Sequence, residues 1–187
     1  MAATVFLIRH GQSTFNAHFE VTGQDPGHVD ARLSDLGQRQ AAEARAQMAA
    51  LGRPDLVITS PLTRAIQTTL AIFGGTGIPV EVSCHHREQL DHTCDIGRSP
   101  AALGAEFPGL AFDHLDDPWW HNGPLDHRGV PAEPGETFAG RVRTFAEYLA
   151  AHPSASLAVV GHGMFFRHLT GGRAFANCEI VPWSPPG

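Results

Sequence analysis

Five side chains in this sequence are of types that together handle phosphate esters. Arg9 and His10 are adjacent and precede Gly11, while Arg64, Glu88 and His162 follow at wide intervals. A guanidinium donates paired hydrogen bonds from a planar fork and stays charged, which suits a phosphate dianion. Neutral imidazole is a competent nucleophile towards phosphorus, and neighbouring arginines keep it neutral by depressing its pKa. One ring nitrogen must be fixed by a hydrogen bond so that the other keeps its lone pair towards phosphorus. Gly11 beside His10 lets the backbone come close to the anion. A carboxylic acid must then protonate the leaving alkoxide, and Glu88, with a raised pKa, is the candidate. The arginines and His162 supply the positive charge that a metal would otherwise bring, so neither metal nor cofactor is expected.

Such distant residues need a scaffold that gathers them. Residues 4–8, 55–59, 78–82 and 157–160 are short apolar runs that read as buried strands, and 179–183 reads as a last one. Residues 33–51 carry helical spacing, with Ser34 as N-cap and Gly52 as the stop. Ser60 and Pro61 are expected to open the next helix, as cap and first turn, and to run it to about residue 73. Helices are also expected over 99–107, over 136–151 and from Gly163 to about 170, and residues 9–31 read as loop. Alternating strands and helices imply right-handed crossovers and a mainly parallel sheet in a three-layer α/β/α sandwich. The expectation is one domain over 1–187, with a Pro-, Gly-, His- and Trp-rich cap or lid inserted at about 84–135. Ligands bind beyond the carboxyl ends of such strands, and the arginines, His10, Glu88 and His162 all lie there.

The segment from Val5 to Ser13, with Asn16, resembles the first signature of the histidine phosphatase superfamily, also called phosphoglycerate mutase-like. Ser60 to Thr68 is similar to its second motif, and Val159 to Gly163 to its third. The three occur in family order. The resemblance implies that His10 carries the phosphoryl group, with Arg9, Arg64 and His162 on the phosphate oxygens. It implies assistance from Asn16 and the Gly163 backbone, with Gln12, Ser13, Thr22 and Gly23 near the pocket or substrate. Glu88 sits where the family places its proton donor, with Asp91 as fallback. The chain departs from the usual Gly-Trp-Glu-Gly-like continuation and carries Cys94-Asp95-Ile96-Gly97 instead. The implied activity is phosphomonoester hydrolysis through a phosphohistidine. The rivals are a phosphoglycerate mutase-type phosphotransferase, which 187 residues argues against, and a phosphate-binding module without turnover.

His85, His86, His92, Cys94 and Asp95 invite a zinc reading, but their spacing does not match paired structural-zinc patterns. Trp119 and Trp120 read either as a substrate-facing wall or as packing of the insert. A net charge of -6 excludes general attraction to nucleic acid or an anionic membrane, and the activity that the resemblance implies makes a small phosphorylated substrate the expected partner. No signal peptide or membrane span is read, and three cysteines without framework spacing fit reduced thiols in the cytoplasm. The oligomeric state stays open, a homodimer included.

Overall fold

The computed structural model describes residues 4–185. Among them are strands β1 (Thr4–Arg9), β2 (Leu56–Thr59), β3 (Val80–Val82), β4 (Ser156–Gly161) and β5 (Ile180–Trp183). They form one sheet in the order β3-β2-β4-β1-β5, all parallel except β5, which runs antiparallel to β1. Helices α1 (Thr14–Thr22), α2 (Asp35–Leu51), α3 (Thr63–Phe73), α4 (Pro100–Glu106), α5 (Gly135–Ala151) and α6 (Gly163–Leu169) complete the regular structure.

The alternation of β1 shows why the sandwich has three layers. Val5 and Leu7 point to a core shared with Phe138, Phe145 and Leu149 of α5 and Phe165 and Phe166 of α6. Phe6 and Ile8 point to the opposite core, with Ala41, Ala44 and Met48 of α2 and Ala65 and Ile72 of α3. A strand buried on both faces reads as a continuous apolar run, as the sequence does. Each large side chain taken fully out of water adds roughly 1.5–3 kcal/mol.

Three expectations are corrected. Residues 9–31 contain helix α1, which has little apolar periodicity because only Phe15 is buried. Its boundaries are local instead: Ser13 Oγ accepts from the Asn16 amide at 3.1 Å, Asn16 Oδ1 accepts from the Ser13 amide at 3.1 Å, and Gly23 ends it at φ 66°. Helix α3 starts at Thr63 rather than at Ser60-Pro61. Its cap is Asp30, whose Oδ1 accepts the Thr63 amide at 2.8 Å, from a residue at φ 44° in the left-handed region. Strands β2 and β3 begin at Leu56 and Val80, slightly later than the apolar runs suggest.

The stretch after β3 holds two 3-10 turns, Cys84–His86 and Thr93–Asp95, and then α4, capped by Ser99 as expected. Trp119 is buried with Leu62, Ile66, Val82 and Leu103, and its indole N–H donates to the Arg98 carbonyl at 2.9 Å. Packing of the insert, not a substrate wall, accounts for it. No helix of the described residues is long and apolar enough to cross a membrane.

Candidate active site

Sheet register builds the centre of the site. In the β1–β4 pair Arg9 lies opposite Gly161, so His10 and His162 leave the sheet side by side, with ring centroids 5.2 Å apart. Both rings are buried. His10 Nδ1 lies 2.7 Å from the Gly11 carbonyl, which can only accept, so Nδ1 carries the proton and Nε2 keeps its lone pair. Arg64 Nε donates to that Nε2 at 3.3 Å. Burial, followed by the charges of Arg64 and Arg9, holds the His10 imidazole well below its ordinary pKa, so the ring is neutral. Burial and Arg64 do the same to His162.

His10 opens on a cavity of about 440 Å³ that Arg9, Ser13, Asn16, Arg64, Glu88 and Gly163 help to border. Arg9 Nη1 donates to the Phe175 carbonyl at 2.7 Å. Arg9 Nε and His162 Nδ1 are buried and have no hydrogen-bond partner among the described residues. A Cβ at Gly163 would come within 3.2 Å of Arg9 Nε, so glycine keeps that nitrogen clear. Glu88 is half-buried against the start of α6. Its Oε2 accepts the Met164 amide and its Oε1 the Phe165 amide, each at 3.0 Å. Burial, then the charge of Asp95, pushes the Glu88 carboxyl up, against the pull of the Met164 amide, the Arg64 charge and the Gln89 amide. Asp91 is 57% exposed at its side chain and pairs with Arg128 at 2.8 Å.

Other expected residues stand elsewhere. His162 does not itself border the cavity. Gly11 is required because a Cβ there would lie 2.6 Å from the Gly37 carbonyl oxygen of α2, a packing reason rather than an anion-binding one. The Gln12 side chain is spent on Glu20 and Ser34, at 3.0 and 2.8 Å, and does not border the cavity. Thr22 and Gly23 are exposed at the end of α1, away from the cavity. The histidines of the zinc reading are scattered: His85 is exposed, His86 is fully buried on Phe145, and His92 rests on Phe15 and Phe19. Among the described residues no group of three or more His, Cys, Asp or Glu side chains could hold a metal ion.

Three supporting groups escape a reading of the sequence. Ser60 Oγ lies 2.8 Å from His162 Nε2 and orients that ring. Asp95 Oδ1 pairs with Arg64 Nη2 at 2.8 Å. Arg141 donates to the carbonyls of His85, Arg87 and Glu88 at 3.0, 2.7 and 3.3 Å, while Glu133, fully buried, pairs with both Arg141 and Arg87. Only Arg141 left a signal: it falls on the apolar stripe of α5 between Phe138 and Val142, a place for a charge with a partner.

A doubly wound sheet with two arginines and a tautomer-fixed histidine at its strand ends defines a phosphoryl-transfer enzyme of phosphoglycerate mutase-like fold. The model of the histidine phosphatase superfamily (branch 1) matches residues 5–174, and the chain belongs to that superfamily. It is 31% identical over 189 residues to a glucosyl-3-phosphoglycerate phosphatase of Mycobacterium tuberculosis, covering 100% of this chain and 81% of that protein. A protein of the same name from Mycolicibacterium vanbaalenii is 36% identical over 115 residues, 61% of this chain and 48% of the relative. The crystal structure of the alpha-ribazole phosphatase from Shigella flexneri shares the fold, with a TM-score of 0.61 at 22% identity over 91% of this chain and 81% of the other.

Proposed function

We propose that this chain is a metal-independent phosphomonoester hydrolase that works through a phosphohistidine on His10. The observation that carries the reading is the His10 ring. Its proton is pinned on Nδ1 by the Gly11 carbonyl, its Nε2 is the unprotonated nitrogen and accepts from Arg64 Nε at 3.3 Å, and the ring borders the cavity. Arg9 and Arg64 border the cavity and hold the phosphate oxygens, with the partnerless Arg9 Nε as a donor that such an anion satisfies, while His162, packed beside His10 with its Nδ1 unpaired among the described residues, backs the site without bordering the cavity. Ser13, Asn16 and Gly163 shape the near wall.

In the first step His10 Nε2 attacks phosphorus and the P–O bond to the leaving group breaks. Glu88, as the carboxylic acid, gives its proton to the departing oxygen. In the second step water attacks phosphorus, the Glu88 carboxylate takes the water proton, and the N–P electron pair returns to Nε2. Inorganic phosphate leaves and Glu88 is protonated again. Glu88 suits both halves, because burial raises its pKa while the amides of Met164 and Phe165 stabilise the carboxylate between them. Asp91, exposed and paired with Arg128, is the weaker donor.

Residues 84–135 act as the cap that selects a small phosphorylated metabolite. Glucosyl-3-phosphoglycerate, named for the mycobacterial relatives, belongs in the first panel of substrates. Three unbridged cysteines support a reducing, cytoplasmic setting. The test is His10→Ala assayed on p-nitrophenyl phosphate, with EDTA added to the parent protein. Turnover should vanish in the variant and persist in chelator. Unchanged turnover in the variant refutes the nucleophile, and loss in chelator refutes metal independence.

A further inference from the structure

Asp95 is the side chain of this cavity that phosphate chemistry does not call for. It borders the space that takes an anion, and a carboxylate repels one. It is nevertheless buried, with the Arg64 and Asp95 side chains only 3% and 5% exposed. Oδ1 takes Arg64 Nη2 at 2.8 Å, and the Cys94 carbonyl takes Arg64 Nη1 at 2.5 Å. The second oxygen, Oδ2, accepts the His92 amide at 3.2 Å and the Asp91 amide at 3.4 Å. The turn that carries it is wedged from two sides. Cys94 packs with Phe15 and Ala31, and a Cβ at Gly97 would lie 2.2 Å from Trp119.

The guanidinium of Arg64 is therefore gripped along its Nη edge by a rigid turn, which leaves Nε aimed at His10 Nε2 at 3.3 Å. Of its five N–H groups, one on each Nη stays available to a phosphate oxygen. An arginine has long, soft rotors, and holding its fork in one pose removes most of the ordering cost from the moment of binding. We propose that Asp95 is a positioning residue of the phosphoryl-transfer site, clamping Arg64 so that Nε faces His10 and supplying the negative charge that Glu88 faces. This accounts for the Cys94-Asp95-Ile96-Gly97 run, in which each named contact uses Cys94, Asp95 or Gly97.

The second half of the role is electrostatic. Glu88 and Asp95 border the same cavity, together with Arg9 from β1 and Arg64 from α3, and Glu88 accepts the amides of Gln89 and of Met164 and Phe165 from α6, with Arg141 of α5 at its own carbonyl. Asp95 is the nearby anion in that set, and its charge favours the protonated acid that the first step needs.

The inference rests on the phosphohistidine reading, and Asp95→Asn tests it with phenyl phosphate as substrate. The amide keeps an acceptor for Arg64 but removes the charge. We expect kcat/KM to fall about 100-fold, the scale of a misplaced binding group, and the basic limb of its pH profile to move to lower pH. Asp95→Glu keeps the charge and displaces the clamp, so kcat/KM should fall while the basic limb stays; it carries the test if Asp95→Asn does not fold. A wild-type rate and profile in Asp95→Asn overturns the proposal. So does a faster variant with tighter inhibition by inorganic phosphate, which would make Asp95 a competitor for Arg64. If His10→Ala is inactive and Asp95→Asn is normal, only this inference fails; if His10→Ala is active, the underlying reading fails.

Discussion

Lowering the pH should unfold this protein through its buried imidazoles, and His86 allows the effect to be measured one ring at a time. His86 is fully buried, stacked on Phe145 with ring centroids 4.7 Å apart. Its Nε2 lies 3.1 Å from the Val160 carbonyl and its Nδ1 has no partner among the described residues. Burial lowers its pKa from 6.5 to about 3. A group whose folded pKa is depressed below the unfolded one binds a proton only after unfolding, so stability is fully present above 6.5 and declines as the pH falls towards 3. At about pH 4.5, two units below the unfolded value, this one ring costs on the order of 3 kcal/mol of folding free energy. That is a large part of a typical total of roughly 5–15 kcal/mol. His10 and His162 act in the same direction.

The assay is urea unfolding of the parent and His86→Phe at neutral pH and near pH 4.5. Phenylalanine keeps the stack on Phe145 and removes one hydrogen bond to the Val160 carbonyl, which still accepts the Ser60 amide at 3.2 Å, so the cost at neutral pH should be about 0.5–1.5 kcal/mol. The pH-dependent loss should then be smaller in the variant than in the parent by an amount on the order of 3 kcal/mol. Equal losses in the two proteins would refute the reasoning, because His86 would then titrate alike folded and unfolded. The ring also matters to the site. It anchors the turn Cys84–His86 directly ahead of Arg87 and Glu88, so a folded His86→Phe protein should still hold Glu88 in place.

Activity should fall at both pH extremes for separate reasons. Glu88 must be protonated and its pKa is raised, so the basic limb of kcat/KM on phenyl phosphate should lie above the ordinary carboxylate range; His10 must be neutral and its pKa is lowered, so the acid limb should lie below 6.5. An acid limb at or above the ordinary imidazole value would contradict the neutral nucleophile. Glu133→Gln leaves Arg87 and Arg141 facing each other without their shared carboxylate. It should cost about 3–5 kcal/mol in urea unfolding and lower kcat by loosening the Glu88 backbone; an unchanged midpoint would show that the cluster is not coupled to the fold.

The sheet and its two helical layers were legible because their signals are periodic. Val5–Ile8 is apolar on both faces, and Ala41, Ala44 and Met48 recur at helical spacing towards one core. His10, Arg64, Glu88 and His162 were legible because each follows a strand, and strand ends in a parallel sheet meet at one rim. Helix α1 was not legible, since its limits come from a capping box and a left-handed glycine rather than an apolar stripe. The start of α3 was hidden for a related reason. Ser60-Pro61 has the composition of a helix start, but Ser60 serves His162 and the cap is Asp30, thirty-odd residues earlier. Long-range partners of that kind leave no local pattern.

The same distinction applies to charge. Arg9 and Arg64 stand out in the sequence as anion ligands, yet part of each is bound to the protein: Arg9 by the Phe175 carbonyl, Arg64 by Asp95 and the Cys94 carbonyl. A guanidinium left loose would have to be ordered by the substrate, and one satisfied all round would have nothing to offer it. Here the arginines are held by some donors while Arg9 Nε remains buried without a partner. Leaving a buried donor unpaired costs about 1–3 kcal/mol, and an anion that pairs with it relieves that cost on binding. On the proposed reading, the fold stores part of its affinity for phosphate as an unmade hydrogen bond beside a neutral, oriented His10, a form of electrostatic preorganisation.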